Sequence, residues 1–141
     1  MPQIKQNANG STGVEGPLGG AGEFVTAADY WNPTSVDSTF MTTTRHMTVE
    51  GIVARIDVAG TDAGAVTAVI RKVASGTALA SGTLLHTGTI NLKGTINTNQ
   101  VLTLSTTAAD LRLAPGESLV IDFTGVLTAA VGCVTVMLNP A

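Results

Sequence analysis

The side chains in this chain that could do chemistry are few, and their spacing keeps them apart. His46 and His86 are the two imidazoles. A metal site in a β-sandwich needs several His with a carboxylate, and neither histidine has a second His or a Cys at ligand spacing. His86, in "TLLHTGT", alternates with Leu84 and reads as a hydrogen-bonded histidine on an apolar face, whereas His46, beside Arg45, reads as exposed. Cys133 is the single cysteine, so no internal disulfide can form. In "VGCVTV" it has no polar neighbour to lower its pKa and reads as a buried small hydrophobe. Glu117 with Asp122, or Asp57 with Asp62, could pair for acid–base work, yet a turn or a solvent face already accounts for each. There is no G-x-S-x-G elbow. "GPLGGAG", residues 16–22, lacks the Lys-Ser/Thr ending of a phosphate loop and follows no strand. Asn9-Gly10-Ser11 matches a glycosylation sequon, but without a secretory signal it is read as chance. These residues predict a protein that is not an enzyme and takes no metal or cofactor.

Composition points the same way. A chain of 141 residues is about one domain, large enough to bury a core without staples. It is 44% hydrophobic but only 12% charged, against a usual charged share of roughly 25%. So little charge favours surfaces covered by a partner over surfaces left in water. With seven Lys+Arg and a net charge of -3, there is no basic stripe for phosphate backbones, so nucleic acid is excluded as a partner. "MPQIKQNANG" has no apolar segment after Lys5, and no run approaches the length of a membrane span. The expectation is a chain with neither a standard secretory signal nor a membrane anchor.

The elements that would position any site are strands. Residues 1–22, rich in Gly with Pro2 and Pro17, cannot bury enough apolar area to offset their ordering entropy and read as a flexible arm. Within that arm Ile4, Val14 and Leu18 are spaced anchors for a neighbouring subunit. Residues 23–40 gather Phe24, Tyr30, Trp31 and Phe40, and Asn32-Pro33 marks a turn. From about residue 39 the chain reads as strand after strand. In "MTVEGIVARIDVAG", Ile52, Ala54, Ile56 and Val58 share a face, with Val49 out of phase, so Glu50-Gly51 predicts a β-bulge. In "AVGCVTVMLNP", Val134, Val136 and Leu138 alternate with Cys133, Thr135 and Met137. "LRLAPGESLVIDFTG" reads as a β-hairpin closed by a type II turn, with Pro115 presetting φ and Gly116 supplying the positive φ. Leu119, Ile121 and Phe123 then face the core, opposite Asp122 and Thr124. "TTAADL", residues 106–111, could make one helical turn.

About eight short strands at near-regular spacing predict an all-β, antiparallel β-sandwich of jelly-roll type over residues 23–141, preceded by the arm. Phe24, Tyr30 and Trp31 are candidate interface anchors, because such rings bury much area at small entropic cost; a core plug is the competing reading of the Tyr30-Trp31 pair.

The Gly-rich polar arm, the Thr/Ala/Val/Gly-rich strands, the scarce charge and "L-x-L-A-P-G-E-S-L-V-I-D" together resemble the small decoration, or cement, proteins of tailed-bacteriophage capsids, in particular the jelly-roll cement proteins of short-tailed phages. That resemblance covers the chain in texture and layout. It implies a structural virion protein on the outer surface of an HK97-type shell, made in the host cytoplasm, with the major capsid protein as partner. It also implies association with itself, as a homodimer first and a trimer second. A carbohydrate- or receptor-binding β-sandwich module is the alternative: a sugar platform needs exposed aromatics, whereas a cement protein would have Tyr30 and Trp31 covered by a capsid subunit.

Overall fold

A computed structural model of the protein describes residues 24–140. Ile4, Val14 and Leu18, with the arm that holds them, lie outside the described residues. Ten strands follow in order: β1 (Val25–Trp31), β2 (Ser38–Thr42), β3 (Met47–Val58), β4 (Thr67–Val73), β5 (Thr83–Leu84), β6 (Ile90–Asn91), β7 (Thr98–Val101), β8 (Arg112–Leu113), β9 (Ser118–Thr124) and β10 (Val131–Pro140). Single 3-10 turns occur at Leu79–Ser81 and, as "TTAADL" predicts, at Ala108–Leu111.

Every pairing is antiparallel, and the strands form two sheets. The first runs β1-β10-β3-β7, with β8 continuing the β7 edge; the second runs β2-β9-β4-β5, with β6 continuing the β5 edge. If β5 with β6, and β7 with β8, are each counted as one interrupted strand, eight remain. The first then pairs with the last, the second with the seventh, the third with the sixth and the fourth with the fifth. That is a long hairpin rolled into two layers, the strand order of a jelly roll.

The core lies between the sheets, and the predicted alternation fills it. Ile52, Ala54 and Ile56 of β3 meet Val134, Val136 and Leu138 of β10, with Ala68 and Ile70 of β4 and Leu119 and Ile121 of β9 across from them. Each fully buried Ile or Leu contributes about 1.5–3 kcal/mol. Leu138 pairs with Val49 and Met137 with Gly51, leaving Glu50 as the extra residue of the predicted bulge; the bulge returns Val49 to the inner face. Val58 follows a second shift, opposite Val131 and Gly132, and is exposed rather than in the core.

The predicted hairpin is corrected. The Pro115-Gly116 turn forms as expected: Gly116 has φ +89, and the Glu117 N–H donates to the Ala114 carbonyl at 3.0 Å. Its two arms do not pair with each other. β8 joins β3 in the first sheet, and β9 lies between β2 and β4 in the second. The turn is therefore a corner between layers, docked on Thr43 by bonds from Gly116 N–H to the Thr43 carbonyl and from Thr43 N–H to the Glu117 carbonyl. Val120 also departs from the predicted alternation. It faces away from the core but is fully buried, because the Leu79–Ser81 turn lies against β9 and β4 on that side.

Candidate functional site

The residues with chemical potential are held in structural work. His86 is buried; its Nε2 accepts the Ile70 N–H at 2.9 Å, so Nδ1 carries the proton and donates to the Thr87 carbonyl at 3.1 Å. Burial lowers its pKa, the Thr87 contact opposes this in part, and Arg71 adds to the lowering. The hydrogen-bonded histidine expected from the sequence is present, but its predicted face partner Leu84 is exposed and Leu85 is buried beside it instead, because this segment does not keep strand alternation; His46 is exposed, as expected. Glu117 Oε1 accepts the Ala114 N–H inside the corner turn, Asp122 is paired with Arg71, Asp57 with Arg55, and Asp62 accepts the Gly64 N–H. Among the described residues no three His, Cys, Asp or Glu side chains gather to hold a metal, and no pocket indents the surface. Cys133 differs from expectation: it is half-buried on the outer side of the first sheet, not in the core. Desolvation, with Asp57 nearby, raises its thiol pKa against the opposing pull of Arg55, which favours the thiol over the nucleophilic thiolate.

The aromatic pair separates cleanly. β1 pairs with β10 such that Trp31 opposes Gly132 and Tyr30 opposes Cys133, and successive side chains point to opposite faces. Trp31 therefore turns inward and is 1% exposed. Its indole occupies the space that a Cβ at Gly132 would need, with Cζ2 2.5 Å from that position, and it stands edge-on to Phe123 at 6.5 Å between centroids. As a surface anchor Trp31 is corrected to a core plug; its Nε1 is buried without a partner. Tyr30 points out and is 75% exposed, and Phe24 is exposed just before β1.

The remaining candidate is a surface, the outer face of the first sheet. Strand register sets it in rows: Thr26, Met137 and Gly51; then Ala28, Thr135, Val53 and Val101; then Tyr30, Cys133, Arg55 and Asn99. Met137, Val53 and Val101 are all exposed, Val101 at 76%. Charge on these rows is confined to Arg55, which pairs with Asp57 at 3.2 Å on the same strand. Val53 and Met137 were legible as outward positions from the alternation of β3 and β10. Val101 was not, since "NQVLTLSTT" alternates ambiguously and its phase is fixed only by pairing with Val53.

No family model matches the chain, and no curated protein matches it in sequence. In structure it is similar to a chain of the cyanophage Pam1 capsid asymmetric unit, with 15% identical residues and a TM-score of 0.55. The match covers 96% of this chain and 98% of that one. At this identity the likeness is one of fold.

Proposed function

We propose that the protein is a structural virion protein, a capsid decoration or cement protein that binds the outside of an HK97-type phage shell and stabilises it by bridging major capsid subunits. The observation that carries the reading is the exposed apolar patch on the outer face of the first sheet, where Arg55 is the one charge in the rows of Thr26, Ala28 and Tyr30, on a fold shared with a phage capsid chain. Tyr30, Val53, Val101 and Met137 supply apolar area there, and Thr26 and Thr135 supply hydroxyls that can meet another backbone. A domain that binds only across subunit boundaries adds its binding free energy to the assembled shell, by linkage. Many copies add avidity. Residues 1–22 act as the arm, with Ile4, Val14 and Leu18 seated on a neighbouring subunit, and residues 23–141 form the body. No enzymatic step is involved.

The test is reconstitution. Purified shells lacking this protein are mixed with it, and copy number and the temperature of shell rupture are measured. Binding should raise the rupture temperature and change little between low and physiological salt, because few charges are available to pair across the contact. A Tyr30→Ala/Val101→Asp variant should lose occupancy while remaining folded. Absence of the protein from purified particles, together with binding of a glycan through Tyr30, would instead support the carbohydrate- or receptor-binding module, because Tyr30 is an exposed strand ring of the kind such a platform uses.

A further inference from the structure

The sheet edges are not alike. β2 has a register irregularity between Thr39 and Met41, and β5, β6 and β8 are two residues each. β7 is four residues long and separated from β8 by the Ala108–Leu111 turn. β1 alone is continuous: its seven residues pair in unbroken register with β10, from Val25 opposite Leu138 to Trp31 opposite Gly132. Its other side meets no strand among the described residues. It contains no Pro, Lys, Arg or bulge, the usual means of blunting an edge, and Asp29 is its single charge.

Alternation determines which backbone groups face the open side. In an antiparallel ladder, successive residues direct their N–H and C=O groups to opposite neighbours. The Ile52 and Ile56 carbonyls accept from Leu102 and Asn97, on the β7 side. Val53 and Arg55 therefore face β10, their partners Thr135 and Cys133 face β3, and Val134 and Val136 face β1. Asp29 and Ala27, opposite those two, bond to β10. Thr26, Ala28 and Tyr30 direct their backbone groups at the open edge, where the Tyr30 N–H is met by the Asp29 carboxylate at 3.0 Å.

We propose that this edge is a self-association site, at which β1 of one copy adds antiparallel to β1 of a second across a two-fold axis at Ala28, making one continuous sheet. Opposed residues must share a face, so the axis has to pass through a residue position. At Ala28 it overlaps all seven residues and matches the three edge-facing ones, Ala28 with itself and Thr26 with Tyr30, each exchanging both backbone bonds. Asp29 then opposes Ala27 of the second copy, and the Tyr30 N–H passes from the Asp29 carboxylate to a Thr26 carbonyl. An axis at Asp29 would set two carboxylates face to face, and one at Ala27 would pair Tyr30 with Phe24, before the strand begins. Same-to-same pairing closes both open edges at once. Pairing β1 with any other edge leaves the second β1 open within a pair and closes only if more copies complete a ring. The inference concerns the protein by itself and does not depend on its seat on a capsid.

The full-length protein provides the test. The parent should sediment as a dimer at high micromolar concentration. Ala28→Pro removes an N–H that faces the open edge and leaves the β10 ladder intact, so it should halve the sedimenting mass while circular dichroism stays that of the parent. In a Cys133→Ser background, Ala28→Cys should oxidise almost completely to a covalent dimer, since opposed Cα atoms lie within disulfide range. Thr39→Cys, exposed on the second sheet, should not. A monomeric parent, an Ala28→Pro variant that stays dimeric, or an Ala28→Cys variant that oxidises no faster than Thr39→Cys would each overturn the proposal. If Ala28→Pro does not fold, the cysteine comparison decides alone.

Discussion

The two outer faces of the sandwich are built from the same kind of strand and finish differently. On the second sheet, Arg71 and Asp122 form an ion pair at 3.0 Å with side chains only 22% and 16% exposed, and Arg71 also donates to the Gly82 carbonyl. Residues 74–82 close over that face, so Val120 and Val73 are buried on the outer side. Lys72 ties its edge to the first sheet through the Ala109 and Arg112 carbonyls. On the first sheet no segment among the described residues covers the rows of Ala28, Thr135, Val53 and Val101, and the ion pair there, Arg55–Asp57, is 47% and 49% exposed. One face is finished by its own chain. The other presents apolar strand residues to solvent, and it is the face on which the proposed function rests.

Paired substitutions at outward valines break that comparison most sharply. Val120→Asp should prevent folding, because a carboxylate buried without a partner costs several kcal/mol. Val53→Asp, at the equivalent outward phase of the first sheet, should shift melting by only a few degrees and, on the proposed function, show its effect in shell binding. Equal melting of the two variants would remove the distinction between the faces.

The ion pairs give the next largest contrast. Arg71→Ala should cost about 1–3 kcal/mol, since it leaves the largely buried Asp122 carboxylate short of a charged donor. Arg55→Ala should cost less than about 0.5 kcal/mol, because exposed pairs are screened and worth little. Denaturant midpoints of both variants at low and high salt would measure this, and a larger loss at Arg55 would reverse the assignment.

His86 sharpens the second-sheet side through pH. Its folded pKa lies below the ordinary 6.5, so the unfolded chain binds more protons in the interval between the two values. Stability should thus be full above pH 6.5 and fall as the pH drops through that interval, by at most about 1.4 kcal/mol per pH unit. Urea titrations across this range should lose that slope in His86→Gln. The smallest expected effect is at the corner turn: Gly116→Ala places a Cβ at positive φ and should cost about 1 kcal/mol without altering either face.

Much of the architecture was legible because it rests on local signals. The inward phases of β3, β9 and β10, the Glu50-Gly51 bulge and the 3-10 turn within 106–111 all follow from alternation or turn chemistry a few residues long. β1 was hidden as a strand, since "VTAADYW" places small residues and an aspartate where an alternating apolar face would be sought. The candidate face was half legible. Val53 and Met137 could be phased from their own strands, whereas Val101 needed its partner.

What the sequence determined by itself is therefore the all-β class, the inward side of the long strands, the sparse charge and the turns at Asn32-Pro33 and Pro115-Gly116. The tertiary structure alone decided which strands pair. Pro115 and Gly116 specify a turn equally well whether its arms join one sheet or two, and here β8 and β9 part because each finds its apolar partners in a different layer. Nor could the sequence tell Tyr30 from Trp31. Two adjacent rings on a strand must point oppositely, but which one enters the core is set by the space over Gly132, about a hundred residues away along the chain and directly opposite in the sheet.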